Sequence, residues 1–495
     1  MTQHLELRRG TYRDSVSLMQ VSRAVGSEPG VERALVAMAT ELNLELLAGM
    51  GFPPAGDATP NDLMIAITAA DDDALARARQ RLETELSGSG APAAGGFGSA
   101  PPHRTIGSAV RAAGATLALI STPGRYAYVD AVDALDAGAS VLLFSDNVPV
   151  SQEIRLKETA RQRGLLVMGP DCGTAVVGGV GLGFANVVRP GPVGLVAASG
   201  TGAQQVMCLL DAAGVGVSHC LGVGGRDLSE AVGAASTLTA LDALDADPAT
   251  ELIVVVSKPP APQVAEKVRA HAVALPTPVV FALLGEGLPD LTEAVEHALA
   301  ALDVVPLDRW PAWPPAGWIG TPPPGGHLRG LFSGGTLCDE AMVIAADELG
   351  EIRSNIPLRP EWSLPADLRT NGHAMIDFGD DRLTQGRPHP MIDGALRAER
   401  LAVEAADSSC AVVLLDVVLG HGAHPDPAAE LAPAIVDARA RAAADGRDLA
   451  VVVSLCGTAS DPQGLDRQAG ALASAGAAVF LSNAAAARYA LAQLR

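Results

Sequence analysis

Aromatic residues are scarce in this sequence, and lysines are scarcer. Phe, Trp and Tyr make up 3% of the 495 residues, so the hydrophobic cores must be filled by Ala, Val and Leu. Lysine occurs only at Lys157, Lys258 and Lys267, and the formal net charge is −21 at pH 7. An acidic surface without a basic stripe argues against nucleic-acid binding and against docking on anionic membranes.

Paired cysteines and long apolar runs are also missing. The six cysteines show neither a CxxC pair nor a repeated spacing, which predicts buried or loop thiols in a reducing compartment. No window reaches the roughly eighteen apolar residues of a membrane span, and the N-terminus has no apolar signal core. We therefore expect a cytoplasmic protein. The carboxylates show no recognisable ligand spacing, so no metal site is predicted.

Two stretches divide the chain. Ser87–Pro102 predicts a flexible Gly/Ala/Pro linker, and Val305–Gly326 is Pro-rich and holds three of the four Trp residues, which we expect to pack across a domain boundary. A chain of this length exceeds one hydrophobic core. We predict an N-terminal α+β module of ferredoxin-like character, a Rossmann-like domain and two flavodoxin-like domains, at residues 1–86, 103–190, 191–304 and 328–495.

Apolar, strand-like runs alternate with Ala-rich helical segments after the first linker. The runs cover residues 116–121, 140–144, 165–168, 193–197, 251–256, 278–282, 411–415, 449–454 and 478–481. Such alternation predicts parallel sheets with helices on both faces, and hence an α/β fold class. In the N-terminal module the predicted strands cover residues 5–7, 31–39 and 62–68, and a helix is predicted over 71–86.

The most informative stretch leads from one Gly-containing turn to a second. The first turn comprises Gly169, Pro170, Asp171 and Cys172, and the second comprises Ser199, Gly200, Thr201 and Gly202. A strand that runs into Ser-Gly-Thr-Gly and then a helix leaves free backbone N–H groups at a positive helix end, which suits phosphate or carboxylate. A tight strand–helix corner explains the same residues equally well.

A similar pattern ends the strand-like run in the last domain. Residues 412–424 lead into Leu419-Gly420-His421-Gly422-Ala423-His424, which predicts a helix opening with Gly420 and Gly422 at an anion site. His421 and His424 are candidate catalytic groups there, although helix capping or surface exposure accounts for them as well.

Three further side chains are candidates. His389 lies between two prolines that favour an extended loop. The neighbouring Arg387 favours a catalytic site here, and an ordinary loop histidine is the alternative. Asp380 belongs to a nearby acidic group that is equally typical of a solvated turn. Lys258 ends a strand and is a candidate anion contact, although a surface lysine is the commoner outcome there.

The order of several motifs resembles the α subunit of succinyl-CoA synthetase. The motifs are Asp-Ala-Gly at 136–138, Gly-Pro-Asp-Cys-Gly-Thr at 169–174, Arg-Pro-Gly-Pro-Val-Gly-Leu-Val at 189–196 and Ser-Gly-Thr at 199–201. In that family the corresponding stretches lie along the CoA and phosphate sites. The last domain resembles the C-terminal domain of the β subunit. The resemblance implies that a helix end near 420–424 faces the one at 199–201 across a shared anion site.

The FdrA family is a closer match, and this resemblance spans nearly the whole chain. Its motifs lie at residues 11–16, 61–63, 225–228, 257–260, 332–337, 377–381, 386–393, 416–420 and 424–427. The resemblance implies a subunit of a multi-subunit oxamate carbamoyltransferase of allantoin (purine) catabolism. Carbamoyl then moves between oxamate and phosphate, giving carbamoyl phosphate. The expected partners are these small anions and co-encoded protein subunits, and a homo-oligomer is expected.

The sequence departs from the succinyl-CoA synthetase pattern in three respects. Those enzymes relay phosphate through a histidine in a Gly-His-Ala-Gly loop, but here the run at 278–284 leads into Gly285–Pro289 without a histidine. The Gly-rich CoA-binding start and the ATP-binding grasp domain are also missing, which argues against CoA and ATP as cofactors and leaves phosphate as a substrate. An acyl-CoA ligase subunit with an ATP-binding partner, and a non-catalytic scaffold subunit, stay open as alternatives.

Overall fold

The computed structural model describes residues 1–13, 15–54, 56, 58–88, 103–314, 326–384 and 388–495. Most of the first predicted linker, residues 315–325 of the second and the candidate Arg387 lie outside these residues. The chain forms two compact units, one made mainly of Met1–Arg104 and the other of Thr105–Thr384 with His389–Arg495. Of the described helices, none is long and apolar enough to cross a membrane.

The N-terminal unit is built on a three-stranded antiparallel sheet of order β1-β3-β2. Its elements are β1 (Thr2–Arg8), α1 (Ser15–Gly26), β2 (Val31–Met38), α2 (Glu41–Gly49), β3 (Leu63–Ala69) and α3 (Asp72–Gly88). Alternate residues of β3 enter two clusters: Ile65 packs with the α1 and α3 side chains, and Met64 packs with Leu47 of α2. The predicted strands and the helix α3 are confirmed, whereas α2 was not predicted.

The second unit begins with a three-stranded parallel sheet of order β4-β5-β6. Its elements are α4 (Ile106–Ala113), β4 (Leu117–Ile120), α5 (Gly124–Asp136), β5 (Ser140–Leu143), α6 (Val150–Gln162) and β6 (Val167–Met168). Ala-rich helix faces fill one side of this sheet, as the low aromatic content requires.

A six-stranded sheet of order β12-β11-β9-β10-β7-β8 follows. Its elements are β7 (Thr174–Val177), β8 (Val180–Gly183), β9 (Pro190–Ala197), α7 (Gly200–Ala212), β10 (Val217–Gly222), α8 (Ala235–Asp245), β11 (Leu252–Ser257), α9 (Pro262–Ala272), β12 (Val279–Leu283) and α10 (Leu291–Ala301). Strands β9 to β12 pair in parallel, and the hairpin β7–β8 joins them antiparallel. Strand pairing therefore runs across residue 190, where the sequence suggested a domain limit.

The third sheet of this unit has seven strands in the order β13-β19-β18-β17-β14-β16-β15. Its strands are β13 (Ala312–Trp313), β14 (His327–Phe332), β15 (Arg353–Ser354), β16 (Ala374–Asp377), β17 (Cys410–Val418), β18 (Ala450–Cys456) and β19 (Ala478–Phe480). Its helices are α11 (Gly335–Leu349), α12 (Asp381–Thr384), α13 (Ala395–Ala406), α14 (Pro427–Ala444), α15 (Leu465–Ser474) and α16 (Asn483–Ala492), with a 3₁₀ turn at Pro360–Trp362.

Parallel pairing in the two larger sheets confirms the predicted α/β fold. In both, the central strands are buried along their whole length because helices cover both faces. Two indoles of the Pro-rich segment contact different parts of the unit: Trp310 donates to Glu296 of α10 at 3.0 Å, and Trp313 packs on the core around β17 and β18. The carboxyl ends of β9 and β14 lead directly into α7 and α11.

Candidate anion site between two helix starts

Helix α7 begins where the motif Ser199–Gly202 predicts a helix start. Ser199 is the N-cap, and its hydroxyl accepts the Gly202 N–H at 3.0 Å. The N–H groups of Gly200 and Thr201 have no acceptor within the described chain. The Ser199 hydroxyl also lies 2.6 Å from the hydroxyl of Thr336, which belongs to α11.

The helix start that meets α7 is that of α11. Gly334 is its N-cap and supplies no side chain, so the N–H groups of Gly335 and Thr336 find no acceptor among the described residues. A Cβ added at Gly334 would lie 2.7 Å from Thr201 Cγ2, which shows how closely the two helix starts approach. Two positive helix ends with free N–H groups form a site that favours an anion.

Lys258 adds a positive charge beside these helix starts. It follows β11, and its Nζ lies 3.6 Å from Asp339 Oδ2 and 2.7 Å from the position of a Cβ added at Gly335. Its side chain is 42% exposed, so a ligand in solvent can reach it. Burial opposes its charge, but Asp339 and Asp377 outweigh that effect and raise the pKa of Lys258. Burial raises the pKa of Asp377 to about 7, so this carboxyl can exchange a proton near neutral pH.

A buried ion pair fixes the turn that opens α11. Asp416 of β17 accepts the N–H groups of Ser333 and Gly334 at 2.7 and 2.8 Å, and Arg397 Nη1 donates to the same carboxylate at 2.9 Å. Burial lowers the pKa of Arg397 and raises that of Asp416. Both are positioning residues that the sequence analysis did not single out. Asp416 lay within a motif of the resembling family, whereas Arg397 gave no signal.

His389 lies in the same region. Its ring packs on Phe184 with centroids 5.6 Å apart, and its Nε2 lies 3.0 Å from a Cβ added at Gly379. Burial lowers the pKa of His389 to about 4, so the ring is neutral at pH 7. Its Nδ1 accepts the Met391 N–H at 3.2 Å, which leaves Nε2 as the protonated nitrogen. His389 is therefore a hydrogen-bond donor at Nε2.

The first predicted turn lies close enough to Lys258 for their charges to interact. Desolvation by the surrounding protein and the negative charge of Asp381 raise the pKa of Asp171 to about 6, while Lys258 lowers it. Gly169 and Pro170 pack beneath Gly224, where an added Cβ would lie 2.4 Å from the Pro170 carbonyl oxygen.

Two of the cleft candidates are engaged within the protein. Burial raises the pKa of Cys172 to about 12, so its thiol is not a nucleophile at neutral pH. Asp380 accepts hydrogen bonds from the N–H and Nε of Arg382, both at 2.9 Å, and so stabilises a turn. Its electrostatic interaction with Lys258 is weaker than its interactions with Arg382.

The prediction that a helix begins at Gly420–His424 is wrong. These residues form a loop, and α14 begins only at Pro427 because proline suits the first position of a helix. The loop also uses its own donors: the Gly420 N–H bonds to Gln463 Oε1 at 3.0 Å, and the His421 N–H bonds to the Ala185 carbonyl at 2.8 Å. The helix start that faces Ser199 is therefore that of α11.

The two histidines of this loop have different surroundings. His421 is exposed, and its backbone pairs with that of Ala185 in an isolated antiparallel β-bridge. His424 lines a small cavity, which we call the α13–α14 cavity and which also has Ser333, Arg397, Glu430 and Leu431 in its wall. Ser333 precedes the N-cap of α11, so this cavity adjoins the candidate anion site.

Two family models match the chain. One, described as "AllF, heavy metal-associated domain", covers residues 1–101, and the other, described as "CoA-ligase", covers residues 331–493. The first description names heavy metals, but residues 1–101 contain no cysteine. Within the described ranges, no three His, Cys, Asp or Glu side chains form a group that could hold an ion. The described residues of this module therefore do not fit a bound heavy metal.

Similar proteins agree with these matches. The uncharacterised protein YahF of Escherichia coli (strain K12) is 41% identical over 96% of this chain and 95% of its own length. The α subunit of malate–CoA ligase from Methylorubrum extorquens is 28% identical over 34% of this chain and 57% of its own. A solved acetyl-coenzyme A synthetase from Ca. Korarchaeum cryptofilum is 17% identical, covering 77% of this chain and 85% of its own, with a TM-score of 0.28 that is too low to support an argument. The identity to YahF extends over nearly the whole of both chains, and this protein belongs with it to the FdrA family.

Proposed function

We propose that this protein is the phosphate-binding subunit of a cytoplasmic oxamate carbamoyltransferase that acts in allantoin catabolism with co-encoded subunits. The observation that carries the proposal is the meeting of the α7 and α11 starts, with Ser199 and Thr336 hydroxyls 2.6 Å apart and Lys258 alongside. Free N–H groups and a lysine together suit a phosphate oxygen better than a neutral ligand.

The reaction needs no covalent enzyme intermediate. A phosphate oxygen attacks the carbamoyl carbon of N-carbamoyl oxamate, the carbon–nitrogen bond breaks, and oxamate leaves. The proton of hydrogen phosphate passes to the departing oxamate nitrogen, so the products are carbamoyl phosphate and oxamate. Donors that face the phosphate and the carbonyl oxygen stabilise the charge that develops on both. The donors that we assign to this charge are the Thr201 hydroxyl, whose Oγ1 lies 2.8 Å from a Cβ added at Gly334, the N–H groups of Thr201 and Thr336, and His389 Nε2.

An acyl-CoA ligase subunit is the second candidate, favoured by the similarity to ligase α subunits. Such a subunit needs a group that carries phosphate between nucleotide and acid. Strand β12 leads into Gly285–Pro289, which contains no histidine, so the relay position of succinyl-CoA synthetase is not available here. Only this second candidate requires CoA and an ATP-binding partner.

One assay separates the candidates. The protein, reconstituted with its co-encoded subunits, is incubated with carbamoyl phosphate and oxamate, and oxamate-dependent phosphate release is measured. Thr201→Ala in this chain should abolish most of that release. A parallel incubation with CoA, ATP and carboxylic acids tests the ligase. Thioester formation without oxamate-dependent phosphate release contradicts the carbamoyltransferase, and full activity of the Thr201→Ala complex makes this chain a scaffold.

A further inference from the structure

The buried carboxyl of Asp377 points at the start of α11. Asp377 ends β16 and is 5% exposed. Its Oδ1 accepts the Gly379 N–H at 2.8 Å, whereas Oδ2 has no hydrogen-bond partner among the described residues. Oδ2 lies 2.7 Å from the position of a Cβ added at Gly335, the first residue of α11. A polar atom of a buried side chain usually has a partner, so Oδ2 points to a ligand at this helix start.

Lys258 reaches the same helix start. Its Nζ also lies 2.7 Å from the Cβ position at Gly335, so Nζ and Asp377 Oδ2 are close enough together for one oxyanion to contact both. Among the described residues, Lys258 forms its ion pair with Asp339, at 3.6 Å. Gly335 has no side chain, and the space between the lysine and the carboxyl of Asp377 therefore stays open.

The protonation state of Asp377 decides whether an anion is accepted beside it. An ionised carboxylate repels an anion strongly where little water separates the two charges. Burial raises the pKa of Asp377 to about 7, against the lowering effects of Lys258 and of the Gly379 N–H. A bound anion raises this pKa further, because a nearby like charge favours the neutral form. The neutral carboxyl is a hydrogen-bond donor, which suits an anion oxygen.

Other titratable and charged groups face Asp377 from the elements around it. They are Lys258 after β11, Cys338 and Asp339 of α11, Asp416 of β17 with its partner Arg397 of α13, Asp380 of the following turn, and His389. Cys338 and His389 are neutral at pH 7, because burial raises the pKa of the first and lowers that of the second to about 4. Burial also raises the pKa of Asp339, and it raises that of Asp171 to about 6; both interact with Lys258. A substitution must therefore assign any pH dependence to Asp377.

We propose that protonated Asp377 is a ligand of the bound anion, donating from Oδ2 to one anion oxygen while Lys258 donates to another. This proposal rests on the anion site of the proposed function and deepens it. The site then binds a dianion together with a proton. Its affinity is full below the pH range in which Asp377 titrates and falls as the pH rises through that range.

Sulfate is the probe, because its charge stays at −2 where inorganic phosphate itself titrates. Its dissociation constant is measured by titration calorimetry on the full-length protein at pH 7 and at pH 8.5. For the wild type it should rise about tenfold or more, because the protonated fraction of Asp377 falls from about one half to a few per cent. Binding heats at pH 8.5, compared in two buffers of different ionisation enthalpy, should show the uptake of about one proton per sulfate.

Two variants assign the proton. Asp377→Asn keeps the acceptor for the Gly379 N–H and places an amide donor at Oδ2, so it should bind sulfate equally at both pH values and without proton uptake. Asp380→Asn is the matched control, because it also removes a carboxylate that interacts with Lys258. Burial opposes ionisation of Asp380, but Arg382 outweighs burial and lowers its pKa, so this variant should keep the wild-type pH dependence.

Each contrary result has a distinct meaning. Wild-type binding without pH dependence and proton uptake overturns the role of Asp377, and so does an unchanged pH dependence in Asp377→Asn. Binding of inorganic phosphate but not of sulfate overturns the donor role, because an ionised Asp377 would then accept the proton of hydrogen phosphate. Binding of neither anion by the wild type at pH 7 instead overturns the anion site, and with it the proposed function.

Discussion

Replacing Lys258 by methionine tests the anion site most directly, because the change removes the charge and keeps the length of the side chain. A hydrogen bond to a charged group contributes about 1.5–3 kcal/mol, and about 1.4 kcal/mol corresponds to a tenfold change in affinity. Since the Lys258 side chain is 42% exposed, water screens it and the lower end applies. We expect the dissociation constant for inorganic phosphate to rise roughly tenfold.

Calorimetric titration of the full-length protein with inorganic phosphate at low ionic strength measures this change. Lys267→Met is the matched control, because Lys267 is exposed on α9 and donates to the Gly233 carbonyl at 2.7 Å. The Lys258→Met fold should persist, since burial already raises the pKa of Asp377 and of Asp339, and both can take up a proton when the cation is removed. An unchanged dissociation constant in folded Lys258→Met would refute the assignment of Lys258 to the site.

Three further changes have defined outcomes. Thr201→Ala should lower turnover of the reconstituted complex on the order of 10²-fold, measured as oxamate-dependent phosphate release, with thermal unfolding unchanged. Gly334→Ala should destabilise the fold by about 1–3 kcal/mol because its Cβ would lie 2.7 Å from Thr201, whereas Gly470→Ala, with open space around it, should not, as measured by urea unfolding. Burial lowers the pKa of His373 to about 4, so its contribution to stability is present above about pH 6.5 and is lost as the pH falls towards 4. His373→Asn, whose oxygen can still accept the Leu328 N–H, should flatten that slope in urea unfolding between these pH values.

The sequence was most informative about strands and least informative about which loops meet. Continuous apolar runs such as 251–256 and 411–415 became the buried strands β11 and β17, because a strand covered on both faces is apolar at successive residues. Ser199–Gly202 was correctly placed at the start of α7 by its N-cap pattern. Local patterns of this kind depend on neighbouring residues only, so the sequence reveals them.

The partner of α7 could not be read in the same way. Ser199 and Thr336 are 137 residues apart, and their meeting depends on where β9 and β14 lie in two different sheets. From the sequence, Gly334-Gly335-Thr336 before a helix is a possible anion nest but no stronger a signal than a corner turn, and only the structure shows its close approach to Thr201. Arg397 is a common type of residue on an amphipathic helix, and only the fold shows that it is buried against Asp416.

Both helix starts belong to one polypeptide, and this has a consequence for experiments at low concentration. Where two subunits each supply one wall of a site, dilution separates them and ligand affinity depends on protein concentration. Here the Ser199–Thr336 contact is intramolecular, so phosphate affinity should be the same at nanomolar and at micromolar protein. Any dependence of turnover on concentration then reports association with the co-encoded subunits and not formation of the phosphate site.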